Sequence, residues 1–205
     1  MLIKLYEENP NPKDLKKVVD VLKNDGVIIY PTDSVYAFGC NIFSTKALER
    51  IAMLKNLDPQ KSHFSFIFYD LSQISTYTNP LSNETFKLLK HNLPGPFTFI
   101  LEANSNVPKI LKLNKKKTIG IRIPNNNIAR QIVNELGNPI LTTSVIEDDD
   151  IIEYMTDPEL IHEKYKDKVD LVIDGGYGNL VPSTIVDCTS GEFKIIREGS
   201  GELRL

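Results

Sequence analysis

Leu15, Val18, Val19 and Leu22 repeat at i, i+3, i+4 and i+7, the spacing that lines one face of a helix. Asn11 before Pro12 supplies a cap and a first-turn proline, and Gly26 marks the stop. Val27-Ile28-Ile29-Tyr30 then runs apolar without alternation, which predicts a short strand buried on both faces. Pro31 ends that run, and Thr32, Asp33 and Ser34 interrupt it before Val35 to Phe38 turns apolar again. Ser44 opens a second helix through Leu48, Ile51 and Leu54, and Ser82 to Leu89 forms another with Phe86 and Leu89 inward. Strands are predicted at Phe64–Phe68, Phe97–Leu101 and Ile140–Thr143, and near 169–173, 184–187 and 193–197. Thr118 to Ile123 alternates cleanly, with Ile119, Ile121 and Ile123 on one face and Arg122 on the other. Residues 127–136 are helical up to Gly137, and 157–165 form a helix capped by Asp157-Pro158.

Strands and helices alternate loosely, and the late strands follow one another without helices. That pattern predicts an α/β domain with a mixed, twisted sheet. No internal repeat and no dividing linker is visible, so residues 1–205 read as a single domain. The 205 residues are 41% hydrophobic and 25% charged, values that suit a globular core. The net charge is -3, so any nucleic-acid contact must rest on a local patch. No stretch approaches the ~20 apolar residues of a membrane span. Cys40 and Cys188 form no metal-type spacing, and His63, His91 and His162 are scattered, so no metal site is expected. The expectation is a cytoplasmic protein with no membrane association.

Hydroxyls gather where predicted strands end: Thr32 and Ser34, then Thr142, Thr143 and Ser144, then Ser183 and Thr184. In open α/β sheets ligands bind at strand ends, and hydroxyls there donate to phosphate or carboxylate oxygens. Each cluster alone is equally what caps and turns use. Cations sharpen the reading. Lys109, Lys112, Lys115, Lys116, Lys117 and Arg122 occur with no acidic residue between them, a field that attracts phosphates of a nucleotide or RNA. A solvated loop accounts equally well for Lys115 to Lys117. Arg122 stands mid-strand opposite three isoleucines, where a guanidinium can clamp a carboxylate or phosphate. Arg197, before Glu198-Gly199-Ser200-Gly201, is a second candidate. Glu147 to Asp150 reads as a solvated acidic loop, and neither a Walker A sequence nor GxGxxG occurs.

PTDSVYAFGC, a helix ending in Lys55, PGPFTFIL, TIGIRIP, PILTTS, PSTIVD and IIREG follow one another in that order. Together they resemble the YrdC/YciO-type family of threonylcarbamoyl-adenylate synthase-like proteins, from about residue 12 to 201. The resemblance implies one α/β domain with a concave, positively charged groove. It implies ATP, L-threonine and bicarbonate as substrates, with Mg²⁺. The products would be threonylcarbamoyl-AMP and pyrophosphate, for the threonylcarbamoyl modification of tRNA. Carried over by position, Thr32, Arg122, Thr142 and Ser183 would hold the threonine. Lys55, Thr118, Ser144 and Arg197 would hold the nucleotide, with Lys55 and Arg197 catalytic. Lys109, Lys112, Lys115, Lys116 and Lys117 would contact RNA.

Two positions depart from the synthase pattern. Lys-x-Arg reads Lys55-Asn56-Leu57 here, and Ser-x-Asn reads Ser144-Val145-Ile146. Both losses resemble the YciO branch. The alternative on the same fold is therefore a non-catalytic protein that binds double-stranded RNA, tRNA or a nucleotide.

Overall fold

The computed structural model describes residues 1–56, 64–108, 117–146 and 155–205. Ten strands of the described residues lie in one sheet: β1 (Leu2–Lys4), β2 (Ile28–Tyr30), β3 (Ala37–Asn41), β4 (Ser65–Ile67), β5 (Phe97–Glu102), β6 (Thr118–Arg122), β7 (Ile140–Ser144), β8 (Leu171–Asp174), β9 (Thr184–Asp187) and β10 (Lys194–Arg197). Their order is β1-β8-β2-β3-β7-β4-β6-β5-β9-β10. Four parallel pairs (β1 with β8, β8 with β2, β4 with β6, β5 with β9) are mixed with five antiparallel ones, so the expected mixed, twisted sheet is present. Among the described residues five α-helices accompany it: α1 (Pro12–Lys23), α2 (Thr45–Leu54), α3 (Asn83–Asn92), α4 (Asn127–Leu136) and α5 (Pro158–Tyr165).

The caps lie where the sequence places them. Asn11 accepts from the Lys13 amide at 2.9 Å, and Ser44 from the Ala47 amide at 3.1 Å. Three elements escape the hydrophobic pattern. Strand β1 is three residues long, β3 carries Gly39 at its centre, and a 3-10 helix spans Leu71–Thr76.

The two faces of the sheet differ in chemistry. One face packs Ile119, Ile121, Phe66, Phe99 and Leu141 with the buried sides of α2, α3 and α5. On the other, α1 and α4 cover Ile28, Tyr30, Ile140 and Leu171. Beyond their reach that face carries small or hydroxyl-bearing residues. In register across neighbouring strands run Gly39, Thr142, Ser65 and Gly120. A Cβ on Gly120 would stand 2.5 Å from Ser65 Oγ and 3.1 Å from Thr98 Cγ2. The floor is therefore packed closely, but by groups that leave open space above it.

Candidate functional site

A cavity of about 150 Å³ opens on this floor. It is lined by Arg122, Thr142, Ser144, Ser183 and Arg197 of the predicted set, joined by Ser34, Ser65 and Thr98. A larger groove of about 670 Å³ lies between the 3-10 helix and α3, walled by Leu71, Ile74, Leu81, Phe86 and Leu89. Its described lining holds no charged side chain, so the smaller cavity is where charge chemistry is assembled.

Arg122 leaves the end of β6 and is only 6% exposed. Its Nη2 donates to Asp33 Oδ1 at 3.0 Å and to Ser34 Oγ at 2.9 Å. The second Asp33 oxygen accepts from the Asn125 amide at 2.7 Å. The guanidinium is thus clamped from one side. Its buried Nε has no hydrogen-bond partner among the described residues. Arg122 lines the cavity, and a guanidinium there is a point of attachment for an anion.

The PTDS turn builds that clamp. Thr32 Oγ1 donates to the Val35 carbonyl at 2.8 Å and accepts from the Ser34 amide at 3.1 Å. It also lies 3.1 Å from Ser34 Oγ. Because the Thr32 proton is committed to Val35, Ser34 is the donor in that contact, which leaves a Ser34 lone pair for Arg122. Asn179 fixes the turn from outside, donating its side-chain amide to the Asp33 carbonyl and its backbone amide to the Ser34 carbonyl, each at 3.1 Å.

The opposite wall comes from β5, the residue before β9 and the end of β10. Thr98 and Ser183 hydroxyls meet at 2.9 Å. Arg197 donates to the Ser183 carbonyl from Nε at 3.3 Å and from Nη2 at 2.8 Å. The following turn is tied down by Thr184 Oγ1, which accepts from the amides of Gly199 and Gly201 at 3.0 and 3.1 Å. Partial burial holds the Arg197 guanidinium below its ordinary pKa, and the charge on Arg122 pushes the same way. Burial pushes the Asp33 carboxyl up, although Arg122 and the Asn125 amide pull against that. Two guanidiniums and one carboxylate leave a net positive charge on the site, which an anion relieves.

The remaining predicted residues lie elsewhere. Thr32 is buried in the turn, and all its hydroxyl valences are used there. Lys55 caps α2 and donates from Nζ to the Ile146 carbonyl at 2.7 Å. Ser144, by contrast, does line the cavity, and its Oγ accepts from the Ile146 amide at 3.0 Å. Thr118 opens β6, four residues or about 13 Å along the strand from Arg122, on the same face. Lys117 is exposed beside it, with a φ of 49°. Lys109, Lys112, Lys115, Lys116, Leu57 and the acidic run Glu147–Asp150 lie outside the described residues.

Asp33, Ser34, Ser65 and Thr98 are site residues that the motif transfer did not select. Asp33 and Ser34 had a signal, since both sit between two apolar segments beside Thr32. Ser65 and Thr98 had only the alternation of their strands. Among the described residues, no three His, Cys, Asp or Glu side chains are grouped as a metal ion would require. None of their helices is long and apolar enough to cross a membrane.

Comparison with known proteins gives this architecture a lineage. Residues 20–199 match the Sua5_yciO_yrdC family model, described as "Telomere recombination". The chain belongs to the YrdC/YciO family. Within the family it stands nearest the YciO branch. An uncharacterised protein of Haemophilus influenzae is 41% identical over 197 residues, covering 96% of this chain and 94% of that protein. The crystal structure of E. coli YciO superposes with a TM-score of 0.91 at 38% identity, over 98% of this chain and 97% of that one. P. abyssi Sua5, crystallised with L-threonine, shares the fold with a TM-score of 0.84 at 22% identity. That match covers 97% of this chain and 57% of that one.

Proposed function

We propose that this YciO-branch protein is a threonylcarbamoyl-AMP synthase-like enzyme that binds L-threonine and ATP, with bicarbonate, in the service of tRNA modification. The observation that carries the reading is Arg122. It is buried, clamped by Asp33 and Ser34, and it lines a small cavity rich in hydroxyls. At about 150 Å³ the cavity is small, as a compact polar ligand requires. Sua5 crystallised with L-threonine shares this fold, which supports the ligand class.

In this reading Arg122 takes the threonine carboxylate, and Thr142 and Ser183 present hydroxyls to the same ligand. Arg197 and Ser144 face the nucleotide from the cavity walls. Thr118 lies further along the bare face, where the nucleotide would extend. Arg197, with Lys55 drawn from Ile146, neutralises charge as pyrophosphate leaves. Mg²⁺ would enter on the phosphates of ATP. Lys117 with Lys109, Lys112, Lys115 and Lys116 offers the cationic stretch for tRNA or double-stranded RNA.

One observation favours a second reading. Lys55 Nζ is bonded to the Ile146 carbonyl, at the position where the synthase pattern has an asparagine. That contact gives one of the three Nζ protons to the chain and draws the ammonium toward Ile146, which favours a protein that binds RNA or a nucleotide without catalysis. Pyrophosphate release from ATP, Mg²⁺ and bicarbonate, measured with and without L-threonine, separates the two. Threonine-dependent release supports the synthase. Binding of ATP or RNA with no release supports the binder.

A further inference from the structure

Tyr30 is fully buried, yet its phenol is not idle. It belongs to β2, while the nearest cavity hydroxyl it touches, Thr142, belongs to β7, and β3 lies between them. Tyr30 Oη donates to Thr142 Oγ1 at 2.7 Å. The side chain crosses a whole strand to do this. Gly39 on β3 is what lets it pass, for Gly39 stands in register between Ile28 of β2 and Thr142 of β7. A Cβ on Gly39 would stand 2.7 Å from Tyr30 Cε1 and 3.2 Å from Cδ1. The central glycine of β3, which breaks the apolar run in the sequence, is therefore the gap under a tyrosine ring.

The consequence lies in the direction of one proton. A hydroxyl has one proton to give and lone pairs to receive. Thr142 Oγ1 already receives the Tyr30 proton, and makes no other side-chain hydrogen bond among the described residues. Thr142 lines the cavity. We infer that Tyr30 is a positioning residue that acts through Thr142. By occupying a lone pair from behind, across Gly39, it turns the Thr142 proton toward a ligand oxygen. This rests on the proposal that the cavity takes a small carboxylate. Burial holds the phenol above its ordinary pKa, so Tyr30 stays a donor throughout the physiological range.

The test is a double-mutant cycle on binding, with Tyr30→Phe, Thr142→Val and the pair. Affinity for L-threonine and, separately, for acetate is measured by calorimetry or NMR titration, and melts establish that each variant is folded. Tyr30→Phe is expected to weaken binding about tenfold. It should do nothing further in the Thr142→Val background, a result that loss of packing alone does not produce. Equal losses in both backgrounds, or no loss in either, overturn the inference. Acetate separates it from the broader reading. If the wild type binds acetate but not L-threonine, the threonine assignment fails while the cycle on acetate still decides the role of Tyr30. If it binds neither, both fall. Gly39→Ala is a second probe, expected to displace the ring and reproduce the Tyr30→Phe loss.

Discussion

Arg122 and Asp33, 89 positions apart, meet at 3.0 Å with side chains 8% and 7% exposed. Two charges taken out of water in this way gain little net stability, because desolvation offsets their attraction. Their value is geometric, since the pair fixes a guanidinium on the cavity wall. Removing one partner leaves the other charged and unpaired. Asp33→Ala is expected to destabilise the fold by about 3–5 kcal/mol and to weaken carboxylate binding. Replacing both, as Asp33→Leu with Arg122→Met, should recover much of that stability but none of the binding. Urea melts and a ligand titration on the same variants check both halves.

The far wall allows a cleaner separation of binding from folding. Arg197 lies on β10, the edge of the sheet, and is exposed at the rim. Arg197→Ala removes two hydrogen bonds to the Ser183 carbonyl but leaves no buried charge. Stability is expected to change by less than about 1 kcal/mol, while affinity for ATP falls about tenfold or more. Equilibrium binding of ATP to the folded variant reads this directly.

How much of this was legible beforehand depends on the kind of signal. Helices announced themselves through stripe and cap, as at Asn11-Pro12 and Leu15 to Leu22, because both signals are local. Arg122 was legible because alternation in β6 forces it onto the face opposite Ile119 and Ile121. Strand β3 was not, because Gly39 interrupts its pattern for the sake of a ring on another strand. Thr32 drew attention by motif, yet its hydroxyl turns inward to Val35 and Ser34. The partnership of Asp33 with Arg122 joins a turn to a strand far away in sequence, and periodicity carries no information about such pairs. The link from Lys55 to Ile146 escaped for the same reason.

Alkaline pH should loosen the fold with a defined sign. Burial pushes the thiols of Cys40 and Cys188 up to about 12, with Asp187 adding to the shift at Cys188. The unfolded thiol titrates near about 8.5. The folded state therefore keeps its protons longer, and the stability this gives is lost as pH rises from about 8.5 toward 12. Tyr30 and Tyr36 are shifted upward by burial as well and act in the same direction. Chemical melts across that range should show the decline. At pH 8 both thiols should react with iodoacetamide far more slowly in the native protein than in urea.

The departures from the synthase pattern make a gain-of-function prediction. Ile146→Asn with Leu57→Arg restores the two polar side chains of that pattern. One charge-assisted contact is worth about 1.5–3 kcal/mol, which is one to two orders of magnitude in rate. Threonine-dependent pyrophosphate release should rise by that amount in the double variant. No gain from a folded protein would count against placing the nucleotide beside Lys55.

The central claim is that Arg122 reads the carboxylate of a small amino acid. Calorimetric titration of the wild-type protein with L-threonine and with L-threoninamide, which lacks the carboxylate, tests it most directly. The account predicts that L-threonine binds and that the amide binds at least about tenfold more weakly. Equal affinity for the two, or no binding of L-threonine, would contradict it.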